Sequence, residues 1–390
     1  MPGLAEPAPG APPCPKGEGR TSLTGLHVAV DGSGLVRARA GVGVYTREVL
    51  RAMAVDRPDC RLTVYVPSGG ISMTSAPAIG YRPLPSARFF GRHVQWPARI
   101  RKLRPDAFFG PVGALPLRDV GCPSVITVHD LAIYRHPEWF PPSQPLSTQW
   151  VVPRSLQRAD VMIAVSAHTA RDISELFHIS PSRIEVVPNG VSASFRPMGG
   201  DDLAEARARL QLPERYILFV STIEPRKNLP TLLEAWAMMR DRPDLVIVGG
   251  WGWRYEPIKE RLERLGSGVH MIGDLGLDQL PAVYNLALVL AHPAWYEGFG
   301  LPPLEAMACG TPVVVSDRSS LPELVADAGM VAAAGDANAW RKALERVVGD
   351  SELAAGMRSR GILRAAEFSW ARTAGLTWRA VDQAIKARAA

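Results

Sequence analysis

Cysteine is scarce in this sequence. The 390 residues include four, Cys14, Cys60, Cys122 and Cys309, which stand far apart and form no C-x-x-C pair. Disulfide frameworks and zinc sites both need closer or more numerous cysteines. The sequence therefore predicts neither, and we expect reduced thiols in a cytoplasmic protein.

A long apolar segment is also missing. No window approaches the roughly 20 apolar residues that a helix needs to span a bilayer, so any membrane contact is expected to be peripheral, on the inner face. The amino-terminal stretch is rich in proline and small residues and has no apolar centre, which excludes a signal peptide. We predict a disordered tail over residues 1–22.

Patterns that hold a divalent metal ion are absent as well. The sequence has no Asp-x-Asp pair, and its eight histidines form no close ligand pair. We therefore expect no metal and no other cofactor. The net charge of +6 is compatible with anionic partners such as nucleotides, anionic lipids or nucleic acid, or simply with an arginine-rich composition.

The sequence does contain short β-branched runs that alternate with helical patterns. These runs lie at 26–30, 62–66, 107–109, 124–128, 161–165 and 184–187, and then at 216–220, 245–248, 269–272, 288–291 and 312–316. Such alternation is typical of parallel sheets with helices on both faces, and the length suits two domains. The predicted fold class is α/β, with two Rossmann-like domains.

A cluster of glycine and aspartate near residue 200 interrupts both periodicities, so the domain boundary is placed there. We predict a first domain over residues 23–197, a linker over 198–212 and a second domain over 213–369. A terminal helix is predicted over 370–390. Its residues Ala374, Trp378, Val381 and Ile385 lie roughly on one side, which makes it a candidate to pack back across the domains.

The most informative segment is EGFGLPPLE at 297–305. Its two carboxylates, Glu297 and Glu305, flank a glycine-rich turn that leads into a predicted helix. Gly298 and Gly300 permit close backbone approach, and the amino end of the helix offers N–H groups to an anion. Carboxylates are poor phosphate ligands, so both are interpreted as acceptors for the hydroxyl groups of a sugar and a ribose. The segment predicts a nucleotide-sugar site.

Loops that follow strands carry further candidates, because ligands of open α/β sheets bind beyond the carboxyl ends of the strands. Arg226 and Lys227 precede a helix and could neutralise a diphosphate; a solvated pair on a turn is the alternative. His129 follows the run at 124–128, where a structural histidine is the alternative to a catalytic one. Gly41 and Gly43 follow the first strand and permit either ligand approach or a flexible turn.

Taken together, these segments resemble the retaining glycosyltransferases of family 4, which have the GT-B fold. The resemblance covers nearly the whole chain beyond the tail. It rests on VHDL at 128–131, AVS at 164–166, VPNGV at 187–191, TIEPRKNL at 222–229 and, most specifically, the E-x7-E motif at 297–305. It implies two parallel sheets that face each other across a cleft, with the acceptor in the first domain and the nucleotide-sugar in the second.

The resemblance also implies residue roles. Glu297 would contact the donor sugar and Glu305 the ribose. Arg226 and Lys227 would hold the diphosphate, and His129 would lie near the reacting centre. Catalytic roles are thus assigned to His129, Glu297, Arg226 and Lys227. The donor-binding residues are predicted to be Gly41, Gly43, Ser221, Ile272, Gly298, Phe299, Gly300, Leu301 and Glu305.

The run at 222–229 is most similar to mannosyltransferases that use GDP-mannose. We therefore expect transfer of a hexose, preferably mannose, to a glycan, a lipid-linked or a small-molecule acceptor, with no nucleic-acid partner. Thr222 stands where many relatives have arginine, so more of the diphosphate charge would fall to Arg226. The alternatives are a UDP- or ADP-sugar donor, a sugar-nucleotide epimerase, or a non-catalytic lipid-docking module suggested by basic residues between 88 and 104.

Overall fold

The structure, a computed structural model, describes residues 25–37, 41–67, 76–84, 91–142, 145 and 147–389. The predicted tail at 1–22 and positions 88–90 of the basic segment lie outside these ranges. Within them, no helix has the length and apolarity to cross a bilayer.

The described strands form two sheets. The first sheet contains β1 (His27–Asp31), β2 (Arg61–Val66), β3 (Ile79–Pro83), β4 (Ala107–Gly110), β5 (Ser124–Val128), β6 (Val161–Ala164) and β7 (Ile184–Val186). The second contains β8 (Tyr216–Val220), β9 (Asp244–Val248), β10 (Val269–Gly273), β11 (Val289–His292), β12 (Val313–Ser316) and β13 (Met330–Ala332).

Helices cover both faces of these sheets. Those of the first half are α1 (Gly41–Asp56), α2 (Trp96–Leu103), α3 (Ala132–Arg135), α4 (Val152–Arg158) and α5 (Ala167–Phe177). The rest are α6 (Gly200–Leu210), α7 (Leu229–Ala237), α8 (Glu256–Leu265), α9 (Leu280–Leu286), α10 (Leu301–Ala308), α11 (Leu321–Val325), α12 (Ala337–Gly349), α13 (Ser351–Ala366) and α14 (Trp370–Ala389).

Both sheets follow the same strand order, except that the first sheet has one further edge strand, β7. Their orders are β3-β2-β1-β4-β5-β6-β7 and β10-β9-β8-β11-β12-β13, and the described strands pair in parallel throughout. In each sheet the order reverses at one point, between β1 and β4 and between β8 and β11. Loops diverge at such a point and leave a crevice at the carboxyl edge. The predicted α/β class with two parallel sheets is confirmed.

Apolar side chains fill both faces of each sheet. In α7 the predicted spacing places Leu229, Leu232, Leu233 and Trp236 in the core, and each is fully buried. The edge strands β3 and β13 were not predicted. Strand β3 has the sequence IGYRP, is exposed at two of its last three residues and lacks an apolar run, while β13 has three residues. Edge strands bury less surface and show a weaker pattern.

The terminal helix α14 packs on the first half of the chain. Ala374, Trp378 and Val381 are fully buried against α1 and the first sheet. Trp378 Nε1 donates to the Met53 carbonyl oxygen at 3.1 Å, and Arg57 donates to both carboxylate oxygens of Asp382 at 3.0 and 2.8 Å. The last element of the sequence thus covers the first sheet. The domain boundaries themselves stay predictions.

The segment at 198–212, predicted to be a linker, contains helix α6, which was not predicted. Gly199 is the N-cap, and Asp201 and Asp202 lie in the first turn, where acidic side chains favour the positive end of the helix dipole. The residues that interrupt the periodicity are therefore signals for a helix start, and α6 packs against α9.

Helix α2 carries the basic segment that suggested lipid docking. Its apolar residues Trp96 and Ile100 are fully buried, packed with Phe108 and Tyr65 of the first sheet. The apolar side of this helix therefore belongs to the core and is not free to enter a lipid layer.

Candidate active site

Two loops at the carboxyl edge of the second sheet bring together three of the four predicted catalytic residues, Arg226, Lys227 and Glu297. One follows β8 and turns at Pro225–Lys227; the other follows β11 and leads into α10. Strands β8 and β11 are neighbours in the sheet although they are far apart in sequence. Their loops therefore flank the point where the strand order reverses, which is the expected ligand position.

The carboxylate of Glu297 is the centre of this cluster. Its Oε1 accepts hydrogen bonds from Lys227 Nζ at 2.5 Å and from His292 Nε2 at 2.8 Å. Arg226 Nη1 lies 3.7 Å from Oε2. Burial alone would raise the pKa of Glu297, but Lys227, His292 and Arg226 hold it well below its usual range. Glu297 is therefore a buried carboxylate that stays ionised.

His292 belongs to the same cluster, although it was not among the site residues predicted from the sequence. It is fully buried, and burial lowers its pKa, so the neutral ring donates from Nε2 to Glu297. Its Nδ1 atom has no hydrogen-bond partner among the described residues. The sequence feature that could have identified His292 is a polar residue at the end of a buried strand, as for His129. It was overlooked because it lies before the conspicuous EGFGLPPLE segment.

The two cations are buried, so the alternative of a solvated pair on a turn is wrong. The side chains of Lys227 and Arg226 are 9 % and 15 % exposed. Arg226 Nε donates to Glu224, and its Nη1 donates to the Tyr296 carbonyl oxygen at 3.3 Å. Burial would lower the pKa of Arg226, yet Asp130, Glu297 and Glu224 keep it above its ordinary value. Arg226 therefore stays charged.

Backbone contacts fix the turn from Glu297 to Gly300. Glu297 N donates to Ser319 Oγ at 2.8 Å, and Ser320 Oγ lies 2.9 Å from the carbonyl oxygens of Glu297 and Phe299. Gly300 has φ of 105° at the N-cap of α10, a conformation that favours glycine. Helix α10 thus begins directly after a turn that these hydrogen bonds hold in place.

Glu305 lies in the second turn of α10, beside a cleft of about 220 Å³ lined by both halves of the chain. Tyr284 Oη donates to Glu305 Oε2 at 2.8 Å. Burial raises the pKa of Glu305 to about 7, although the Tyr284 hydrogen bond opposes the change. Leu301 and Val44 line the same cleft, as does Asp278 from the loop after β10.

His129 lies directly opposite the Glu297 turn. Its Nε2 donates to the Pro111 carbonyl oxygen at 2.7 Å, its ring packs edge-on against Tyr45, and burial lowers its pKa. A Cβ atom built on Gly298 would fall 1.6 Å from the His129 carbonyl oxygen. The two halves therefore touch at this point, and only a residue without a side chain fits at position 298.

The remaining predicted residues are less closely grouped. Gly41 lies near Leu301, since a Cβ atom on it would be 3.8 Å from Leu301 Cδ1, while Gly43 is buried within α1. Ser221 N donates to the Val248 carbonyl oxygen at 3.0 Å, just after β8. Phe299 is buried with its ring edge-on to Phe368. Ile272 lies on the edge strand β10, three strands from β11.

Metal ligands are not grouped in the part of the chain described by the structure: no set of three or more His, Cys, Asp and Glu side chains could hold an ion there. The positive charge of the site comes from Arg226 and Lys227.

Comparison with known proteins agrees with this geometry. Residues 39–195 match the model of Glycosyltransferase Family 4, and residues 202–364 match that of Glycosyl transferases group 1. The fold is similar to sucrose-phosphate synthase from Thermosynechococcus elongatus, with a TM-score of 0.77 at 22 % identity over 93 % of this chain and 100 % of that one. Two parallel α/β sheets around such a cleft are the GT-B fold.

Similarity to curated relatives is consistent along most of the chain. The O-antigen chain mannosyltransferase B of Escherichia coli is 29 % identical over 85 % of this chain and 92 % of its own length. The D-inositol 3-phosphate glycosyltransferase of Salinispora arenicola is 32 % identical over 71 % of this chain and 67 % of its own length. The chain belongs to the group 1 glycosyltransferases, family 4, and is an enzyme.

Proposed function

We propose that this glycosyltransferase moves a hexose from a nucleoside diphosphate sugar to a glycan, lipid-linked or small-molecule acceptor with retained anomeric configuration. One observation carries the proposal: Arg226, Lys227 and Glu297 form a single buried cluster beside the amino end of α10. Two cations and a helix N-terminus suit a diphosphate, and a fixed carboxylate suits sugar hydroxyls.

Each group has a separate task in this proposal. Arg226, Lys227 and the N–H group of Leu301, at the start of α10, would stabilise the diphosphate as it leaves; Pro302 and Pro303 have no N–H to offer. Glu297 would accept hydrogen bonds from the sugar, since burial among cations keeps it ionised. Glu305 would accept hydrogen bonds from the ribose. The distance between the two glutamates would then match the distance between the sugar and the ribose of the donor.

The transfer step needs no nucleophile from the protein. The bond between the acceptor oxygen and the anomeric carbon forms on the face from which the diphosphate leaves. The bond between that carbon and the phosphate oxygen breaks, and the leaving phosphate takes the proton of the acceptor hydroxyl. Contact between the halves at His129 and Gly298 would exclude water, a competing acceptor.

GDP-mannose is the proposed donor, and mannose is the sugar that is transferred. Support comes from the TIEPRKNL segment and from the similarity to a mannosyltransferase over 92 % of that relative's length. A UDP- or ADP-sugar is the alternative donor. Exposed basic residues of α2, such as Arg99 and Lys102, support peripheral contact with an anionic membrane, through charge only.

A donor panel tests this function. Thermal unfolding and product formation would be followed with GDP-mannose, UDP-glucose and ADP-glucose, with ATP as a control for non-specific binding of polyphosphate to a basic protein. We expect the largest stabilisation with GDP-mannose, about 2.7 kcal/mol at a hundredfold excess over Kd. We also expect transfer to persist in EDTA, since Arg226 and Lys227 supply the positive charge. Stabilisation by UDP-glucose alone would overturn the choice of donor.

Donor binding is expected to depend on the ionisation of Glu305. The pKa of this group is raised to about 7 by burial, so its carboxylate is protonated below that pH. Ribose hydroxyls bind best to the ionised form, so binding favours deprotonation. We expect the Kd of the donor to fall about tenfold from about pH 6 to about pH 8, as measured by calorimetry.

Two variants serve as controls for this pH dependence. Glu305→Gln has no ionisable group and should bind weakly at every pH, without the transition. Tyr284→Phe removes the hydrogen bond that lowers the pKa of Glu305, so its transition should move to higher pH. A transition that persists unchanged in Glu305→Gln would assign it to another group.

A further inference from the structure

Tyr296, the residue before Glu297, connects the two halves of the chain. Its side chain is buried, its ring packs edge-on against His168 of the first half, and both of its hydroxyl hydrogen bonds reach the first half. The hydroxyl donates to Asp172 Oδ2 and accepts from Leu131 N at 3.4 Å. The residue next to Glu297 in sequence is therefore hydrogen-bonded to the first half, across the cleft.

Asp172 is held ready for this contact by its own half. It is buried on α5, and its Oδ1 accepts from Arg135 Nε at 2.8 Å and lies 2.7 Å from Arg135 Nη2. His168 Nε2 lies 3.4 Å from Oδ2. Arg135 is itself held by an ion pair with Glu175. Arg135 therefore orients the Asp172 carboxylate independently of Tyr296.

Two further contacts join the start of α5 to the same region. Thr169 Oγ1 donates to the Gly298 carbonyl oxygen at 3.2 Å, and Ala167 N donates to Glu323 Oε1 at 3.0 Å. The turn that carries Glu297 is thus bonded to the first half on both sides of that residue, at Tyr296 and at Gly298. These bonds form only when the halves are together, because each joins a residue of one half to a residue of the other.

We propose that Tyr296 is a positioning residue for transfer: its hydrogen bond to Asp172 holds the Glu297 turn against the His129 loop and keeps the reacting cleft closed. This inference rests on the proposed function for its kinetic test. Tyr296 touches neither donor nor acceptor in the proposal. It acts by fixing Glu297 and by keeping water out.

The test compares Tyr296→Phe with Tyr216→Phe. Tyr216 is also a buried tyrosine of the second half, and its hydroxyl donates to the Val283 carbonyl oxygen at 2.6 Å within that half. Tyr296→Phe is expected to lower kcat/KM about 10- to 100-fold, the cost of a hydrogen bond to a charged group. It should also raise the share of donor lost to hydrolysis relative to transfer, since an open cleft admits water. Tyr216→Phe should leave that share unchanged.

A double-mutant cycle with Asp172→Asn checks that the effect passes through this contact. The combined variant should lose clearly less activity than the two single effects multiplied together. Independent, multiplicative losses would overturn the proposal, as would an unchanged ratio of hydrolysis to transfer in Tyr296→Phe.

Hydrogen exchange separates this inference from the proposed function. In Tyr296→Phe, the amides of 129–132 and 167–172 should exchange faster than in the parent or in Tyr216→Phe, whatever the enzyme transfers. If the parent transfers no sugar but exchange rises as expected, the proposed function fails and the closing contact stands. Equal exchange rates in the parent and in Tyr296→Phe would show that the hydrogen bond between Tyr296 and Asp172 does not hold the cleft closed.

Discussion

Replacement of Glu297 by glutamine is expected to reduce kcat/KM for sugar transfer about 100-fold or more. One oxygen of the carboxylate accepts hydrogen bonds from Lys227 and His292, and the other oxygen faces Arg226. Glutamine keeps the volume but loses the charge that fixes these groups and that binds sugar hydroxyls strongly. A hydrogen bond to a charged group accounts for about 10- to 100-fold, and misplacement of the donor adds to this.

The same substitution should also destabilise the folded protein. Lys227 and Arg226 would remain buried with less negative charge around them, which costs on the order of 3 kcal/mol when one partner of a buried pair is removed. Thermal unfolding measures this cost, and activity would be compared at a temperature where both proteins are folded. Glu234→Gln is a matched control, because Glu234 pairs with Arg261 on the surface. Full activity in Glu297→Gln would contradict the donor-site assignment.

Gly298→Ala is expected to lower kcat about 100-fold while donor affinity changes far less. The new Cβ atom would overlap the His129 carbonyl oxygen at 1.6 Å and lie 3.0 Å from Asp130 Cβ. The proposed donor ligands lie in the second half and would keep their places. Only the approach of the first half is blocked, and a displacement of about 1 Å between reacting groups costs about 100-fold.

Steady-state kinetics and donor binding by calorimetry separate these two effects. Gly375→Ala is the control, since this glycine lies in α14 with open space around it. It should retain parent kinetics. If Gly298→Ala turned over normally, the contact between the His129 loop and the Glu297 turn would be absent from the reactive state. An equally large loss of donor affinity in Gly298→Ala would instead show that the substitution perturbs the donor site in the second half.

The sequence predicted the central strands well because they are buried on both faces and read as continuous apolar runs. Ser124–Val128 and Tyr216–Val220 have the predicted bounds. The edge strands β3 and β13 and helix α6 were missed for local reasons, since these two strands show little apolar pattern and the acidic residues of α6 resemble those of a loop. The E-x7-E motif pointed to the turn between β11 and α10 because its glycines and carboxylates are adjacent in sequence.

The partners of these residues could not be read in the same way. Lys227 and Glu297 are 70 positions apart, and Tyr296 and Asp172 are 124 positions apart. They meet because β8 and β11 are neighbours in one sheet and because the two carboxyl edges face each other. His292 was overlooked for the same reason, since nothing beside it in sequence shows that its ring reaches Glu297.

The sequence by itself determined the class of fold, the order of the strand-end loops and the chemical types of the site residues, because these follow from local periodicity and composition. Tertiary structure alone decided which charges are paired, that Glu297 stays ionised while the pKa of Glu305 rises to about 7, and where the halves touch. Burial and distance between residues remote in sequence set these properties. Periodicity along the chain carries no record of either.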